Sequence, residues 1–286
     1  MPSLVRSLKP CHSAISTGTE GLAVAAPAPG SDCLLPCRDI EWDQGSIGTN
    51  EPLLAVSFPA ETSLGPFAQT CQAAHMLDKV LAHTDRRKHN SGQDAAGLLV
   101  EALQLHKALL ALDTSFNPPG MHSTNWYPSP ETPMGGEGVE DGGNQCATAL
   151  CSSARLLLYS EYACDDFTGR MPNRERVALE SEAQGVAIRG IELMATVTIP
   201  RMAQAVVQAS AGAATRPSIN PLLGHAMYYA ATECACFIKE SHGRDMHTAL
   251  AQIVQGLEAM RLEWQVGGTC CIFSACLFRP MPGLTD

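Results

Sequence analysis

This sequence is short of charge, of aromatic side chains and of long apolar runs, and each shortage narrows the classes of protein it can encode. Of its 286 residues, 17% are charged and 5% are aromatic; an average soluble domain is roughly 25% charged. With 45% hydrophobic residues, the chain can still bury a sizeable core, so disorder throughout is excluded.

Basic residues are also few, since 19 Lys and Arg face 29 Asp and Glu and leave a net charge of −10. A protein that binds nucleic acid needs a basic face to neutralise phosphates, so we expect no direct nucleic-acid contact from this chain. No apolar run reaches the roughly 18 to 20 residues of a membrane helix. The nearest, residues 190–210, is interrupted by Glu192, Pro200 and Arg201, so we expect no membrane partner.

The cysteine and histidine spacings that are typical of metal sites are missing as well. The 12 cysteines include no Cys-x2-Cys pair, the spacing with which zinc sites bring two thiolates to one ion, and they are typical of buried thiols in a reducing compartment. His242 and His247 are five residues apart, not the four of a helical zinc pair. We therefore predict no metal-binding or cofactor-binding residue and no cofactor. The closest cysteine groups are Cys33 with Cys37, Cys234 with Cys236, and Cys270 with Cys271 and Cys276.

Candidate nucleophiles and acid–base pairs are equally weak. No Gly-x-Ser-x-Gly elbow occurs, and Cys151 lies inside an apolar helical pattern. Asp165 and Asp166 are adjacent, so on a helix they point about 100° apart. The glycine run at 135–143 lacks the lysine of a phosphate loop and is rich in acids. We predict no catalytic residue and no enzyme.

What the sequence does contain is helical periodicity, which predicts an all-α, irregular domain of six to seven helices. Pro66 opens the first helix, and a polar break is expected at 83–93. Residues 94–113 carry a leucine stripe wide enough to require more than one neighbour. A long helical stretch from 174 to 210 is expected to kink or divide at Pro200, the pair Asn220–Pro221 begins another helix, and Asp245 caps the last.

Composition divides the chain further. Residues 1–31 read as a disordered lead, residues 32–268 as one helical domain, residues 114–144 as a disordered insertion within it, and residues 269–286 as an atypical tail. Between 33 and 65 we expect loop-like chain fixed by isolated apolar side chains such as Trp42 and Leu53. The cluster of Arg86, Arg87 and Lys88 is typical of a helix C-terminus.

Five blocks occur in an order that points to one family. They are LPCRDIEWDQG (35–45), TSLGPFAQTCQAAHMLDKVLAH (62–83), EALQLHKALLALD (101–113), CATALCSSARLLLYSEYAC (146–164) and IVQGLEAMRLEWQVGG (253–268). Together they resemble the regulatory region of fungal Zn2Cys6 zinc-cluster transcription factors. The six-cysteine DNA-binding cluster of that family and the coiled-coil linker after it are missing from this chain.

The resemblance implies a non-enzymatic regulatory domain of the nucleus, which controls metabolic or secondary-metabolite genes through protein or inducer contacts. Implied partners are the transcriptional machinery, co-regulators, and a second copy or a related factor in a dimer. Tyr228, Tyr229 and Trp264 are candidates to line an inducer cavity. Two alternatives stay open: a helical small-molecule-binding protein or enzyme with an unrecognised thiol or histidine site, and a clusterless, dominant-negative partner of full-length relatives.

The two ends, residues 1–31 and those after Gly268, look foreign to the family. We expect both to be products of a truncated or misspliced gene model, because the helical periodicity is lost abruptly at each junction. Transcript sequencing would contradict this by finding a mature message that encodes Met1 and this tail with no upstream cluster exon.

Overall fold

The computed structural model describes residues 33–46, 53, 64–89, 95–116, 141–163, 174–212, 219–241 and 244–261. Over these residues the chain is helical, with one five-residue helix and seven longer ones and no β-strand among them. The predicted all-α fold of six to seven helices is confirmed. In order, the helices are α1 (Asp39–Asp43), α2 (Pro66–His89), α3 (Ala95–Phe116), α4 (Asp141–Ala163), α5 (Arg174–Leu193), a π turn (Met194–Thr198), α6 (Ile199–Gly212), α7 (Pro221–Ser241) and α8 (Arg244–Arg261).

The chain divides into two compact units, with the boundary between Ala187 and Ile188, inside α5. The single helical domain over 32–268 stays a prediction, and the predicted lead and tail lie outside the described residues. The insertion predicted over 114–144 is too long at both ends, because 114–116 belong to α3 and 141–144 to α4. Phe116 is 4% exposed, so burial of its ring extends α3 beyond the predicted end; residues 117–140 are not described.

In the first unit, α2 and α4 form an extensive helix pair, and α3 packs on both. Small side chains such as Ala73, Ala147 and Ala154, all fully buried, let the helices approach closely. Because α3 packs on both α2 and α4, the prediction that it needs more than one neighbour is confirmed. Helix α2 begins at Pro66 as predicted, because proline at the first helical position gives up an N–H that has no intrahelical partner.

The segment before α2 is anchored by a small apolar cluster. Cys33, Leu35, Leu53 and Ala68 are buried together, which agrees with the anchoring role predicted for Leu53. The same expectation for Trp42 is wrong, since this side chain is 77% exposed. It lies on α1, a helix closed by its own capping box between Arg38 and Glu41, so the turn forms without burying the indole.

Helix α2 does not stop at the polar break predicted from residue 83. It continues to His89, with Arg86, Arg87 and Lys88 in its last turn, where positive charges complement the exposed carbonyl groups of a helix C-terminus. His83 is fully buried. The prediction of a polar break from residue 83 was wrong because a histidine with both ring nitrogens hydrogen-bonded can occupy a core position.

In the second unit, α8 packs against α6 and α7. Pro200 interrupts the long helix as predicted: the turn before it is a π turn, closed by a bond from the Ile199 N–H to the Met194 carbonyl. Asn220 caps α7 as predicted, since its Oδ1 accepts the Leu222 N–H at 2.9 Å. Helix α8 begins one residue before the predicted cap, so Asp245 is a first-turn acid rather than the cap.

One described helix, α3, is long and apolar enough to cross a bilayer by length and composition. This helix, and not the 190–210 stretch named from the sequence, is the most membrane-like segment in the described part of the chain. The criterion is weak evidence by itself, because core helices of water-soluble proteins also satisfy it.

Gly256 marks a close approach of α8 to α6 and supplies a stability prediction. A Cβ there would lie 2.6 Å from Ala203 Cβ and 2.8 Å from Ala203 Cα, so Gly256→Ala forces α6 and α8 apart. We expect it to lower the free energy of unfolding by about 1–3 kcal/mol, measured by urea denaturation.

Gly224→Ala is the matched control on α7. Its added Cβ would meet the flexible end of Met260 at 3.3 Å, which can move, and alanine is the better helix former. We expect no loss of stability from this change; equal losses from both changes would contradict the close-approach argument.

Candidate functional site

The most developed polar arrangement in the first unit joins α2, α3 and α4 through His83. This histidine follows Leu77 and Val80 on the buried face of α2, so its ring enters the core. Its Nδ1 lies 2.9 Å from Glu101 Oε2 on α3, and its Nε2 lies 2.7 Å from the Tyr162 hydroxyl on α4. One side chain therefore bonds to both neighbouring helices.

The protonation state of Glu101 fixes the direction of its bond to His83. Burial raises the pKa of Glu101, but hydrogen bonds from His83 and Arg86 outweigh it and hold this pKa below its usual value. Burial raises the pKa of Tyr162 above its usual value, despite the opposing charge of Arg87. Glu101 is thus an ionised acceptor and Tyr162 a neutral phenol at pH 7. The Nδ1–H of His83 therefore donates to Glu101, because an ionised carboxylate can only accept.

Two arginines at the end of α2 complete this network. Arg86 Nη2 lies 2.5 Å from Glu101 Oε1. Arg87 places its guanidinium over the Tyr162 ring, 4.0 Å from the centroid, and also donates to the Glu161 carbonyl. The basic cluster named from the sequence therefore closes the C-terminus of α2 and also binds the two neighbouring helices. We call His83, Arg86, Arg87, Glu101 and Tyr162 the His83 network.

A second polar group joins α3 and α4 further along. Arg155 Nη1 donates to Asp113 Oδ2 at 2.7 Å, and the Tyr159 hydroxyl lies 2.9 Å from His106 Nδ1 and 3.4 Å from Arg155 Nε. Burial lowers the pKa of Arg155, but Tyr159 and Asp113 outweigh this and raise it above its usual value. The guanidinium is therefore a permanent buried charge that depends on Asp113.

The order Tyr162, His83, Glu101 resembles a nucleophile–base–acid chain, but its exposure pattern favours a structural role. The Glu101 side chain is 38% exposed, whereas Tyr162 is 3% exposed. The group that would react is thus the buried end of the chain, and the solvent-facing end is an ionised carboxylate. Such an arrangement fixes the register of three helices, and Glu101 and Arg86 are its parts within reach of a ligand.

Three of the described thiols, Cys71, Cys151 and Cys234, are poorly activated. Burial, with a smaller effect of Cys146, raises the pKa of Cys71 to about 11, and burial with Glu233 raises that of Cys234 to about 12. Burial also raises the pKa of Cys151, whose Sγ lies 3.5 Å from the Leu109 carbonyl. Because the thiolate is the reactive form, these thiols are weak nucleophiles at neutral pH.

The metal and cavity candidates of the sequence are only partly described. No group of three or more His, Cys, Asp or Glu side chains placed to hold a metal occurs within the described ranges. Cys234 is buried while Cys236 is exposed, so this pair does not converge. The remaining candidates, Cys270, Cys271, Cys276, His242, Asp165, Asp166, Trp264 and residues 135–140, lie outside the described residues.

Tyr228 and Tyr229 are both partly buried on α7, with their ring centroids 5.9 Å apart. His225, one turn earlier, meets Tyr229 edge-on at 4.7 Å. The sequence argument missed His225, as it missed the His83 network and Arg155. The available signal was an ionisable residue inside an apolar helical stripe, of which Arg155 between Ala154 and Leu156 is the clearest case.

The Arg155–Asp113 pair predicts unequal effects of removing its two partners. The Arg155 side chain is 4% exposed and that of Asp113 is 26% exposed. Asp113→Ala leaves a buried charge without its carboxylate, and we expect it to cost about 3 kcal/mol of unfolding free energy. Arg155→Met leaves a carboxylate that water can reach and keeps the Tyr159–His106 bond, so we expect about 1 kcal/mol. Urea denaturation measures both; an equal or larger loss for Arg155→Met would refute the assignment.

His225 predicts a pH dependence of stability. Burial lowers its pKa from 6.5 to about 4, so between these pH values the unfolded chain binds a proton that the folded chain does not. Unfolding free energy therefore falls as the pH falls from 6.5 to 4, by about 2 kcal/mol for this partly solvated ring.

The measurement is urea denaturation at intervals between pH 7 and pH 4. His225→Gln should flatten the pH dependence by that amount, whereas His247→Gln, at an exposed position of α8, should retain the wild-type slope. A His225→Gln chain with an unchanged slope would show that this residue does not carry the effect.

No protein-family model, curated protein or solved structure matches this chain. The resemblance to zinc-cluster factors therefore stays a prediction from the sequence blocks. Among the described residues, the His83 network is the feature on which a functional proposal can rest.

Proposed function

We propose that this chain is a non-enzymatic, helical regulatory domain of the kind found in fungal zinc-cluster transcription factors. In this proposal it acts in the nucleus on metabolic or secondary-metabolite genes. It does so through contacts with co-regulators, the transcriptional machinery, a related factor or an inducer, and not by touching DNA.

The observation that carries the proposal is where the resembling blocks lie in the fold. The first four blocks fall on α1, α2, α3 and α4. His83 ends the second block, Glu101 begins the third, and Tyr162 lies in the fourth. The Arg155–Asp113 pair likewise joins the third and fourth blocks. Three of the five segments that carry the resemblance thus bond to one another across the first unit.

Such a network suits regulation because its bonds depend on one another. If Glu101 turns away, Arg86 loses its carboxylate and the His83 Nδ1–H loses its acceptor inside the core, where an unpaired donor is costly. Partly made networks of this kind are unfavourable, so two discrete arrangements are preferred over intermediate ones. A partner or inducer that bonds to Glu101 or Arg86 in only one arrangement would shift the balance between them.

The function is tested by tethering. The full chain is fused to an unrelated DNA-binding domain in a fungal strain that carries a matching reporter gene, and a tagged copy is located by microscopy. We expect a nuclear signal and a reporter level at least threefold different from that of the DNA-binding domain alone. Glu101→Ala should change that level, because it frees the His83 network from α3.

Lys79→Ala is the matched control, since Lys79 is an exposed residue of α2 outside the network, and its reporter level should equal that of the wild-type fusion. Immunoblots must show equal amounts of all fusions. A chain that stays out of the nucleus and leaves the reporter unchanged overturns the proposal.

A further inference from the structure

We draw no further inference here: the strongest candidate, the apolar surface patch on α1 and the segment just before it, where Trp42 is 77%, Leu34 60% and Ile40 56% exposed, carries nothing, because nothing in the structure shows what covers it.

Discussion

The first unit depends on the cost of taking ionisable groups out of water. His83 and Arg155 lie in the core, where an unpaired polar or charged group is penalised by several kcal/mol. Each is acceptable only with its partners in place, and those partners are on other helices. A slide of α3 by one turn would separate Glu101 from His83 and Asp113 from Arg155 at once. The apolar contacts hold the three helices together, and these pairs decide the register at which they are held.

The helices could be predicted from the sequence, but the register at which α2, α3 and α4 pack on one another could not. Periodic apolar residues and proline positions act locally, so the starts of α2 and α7 and the interruption at Pro200 could be predicted. A pair such as Arg155 and Asp113 joins residues 42 positions apart, and no local pattern specifies it. His83 was assigned to a polar break for the same reason: a periodicity argument places polar residues outside the core unless their partners are known.

Helix α3 shows that the pattern of apolar residues does not always predict which side of a helix is buried. Its leucines surround most of the helix, so the pattern predicts contact on several sides and does not tell which side meets its own chain. The structure assigns Leu105, Leu109 and Leu112 to the core and leaves Leu110 at the surface. The net charge of −10 opposes indiscriminate association through the few apolar residues left at the surface.

The π turn before Pro200 has a consequence for how this chain tolerates changes in length. An α-helix turns about 100° per residue, so the eight steps from Ile191 to Ile199 would place these two fully buried side chains about 80° apart. A π turn contains one residue more than a turn of α-helix. The extra residue returns the Ile191 and Ile199 side chains to the same side of the helix. Deleting one residue there would restore ordinary helix with the buried face still aligned, once Pro200 is also replaced. Deletion anywhere else between Ile191 and Val206 would rotate part of that face into water. The π turn is thus the position at which this helix can lose a residue with the least disturbance of its buried face.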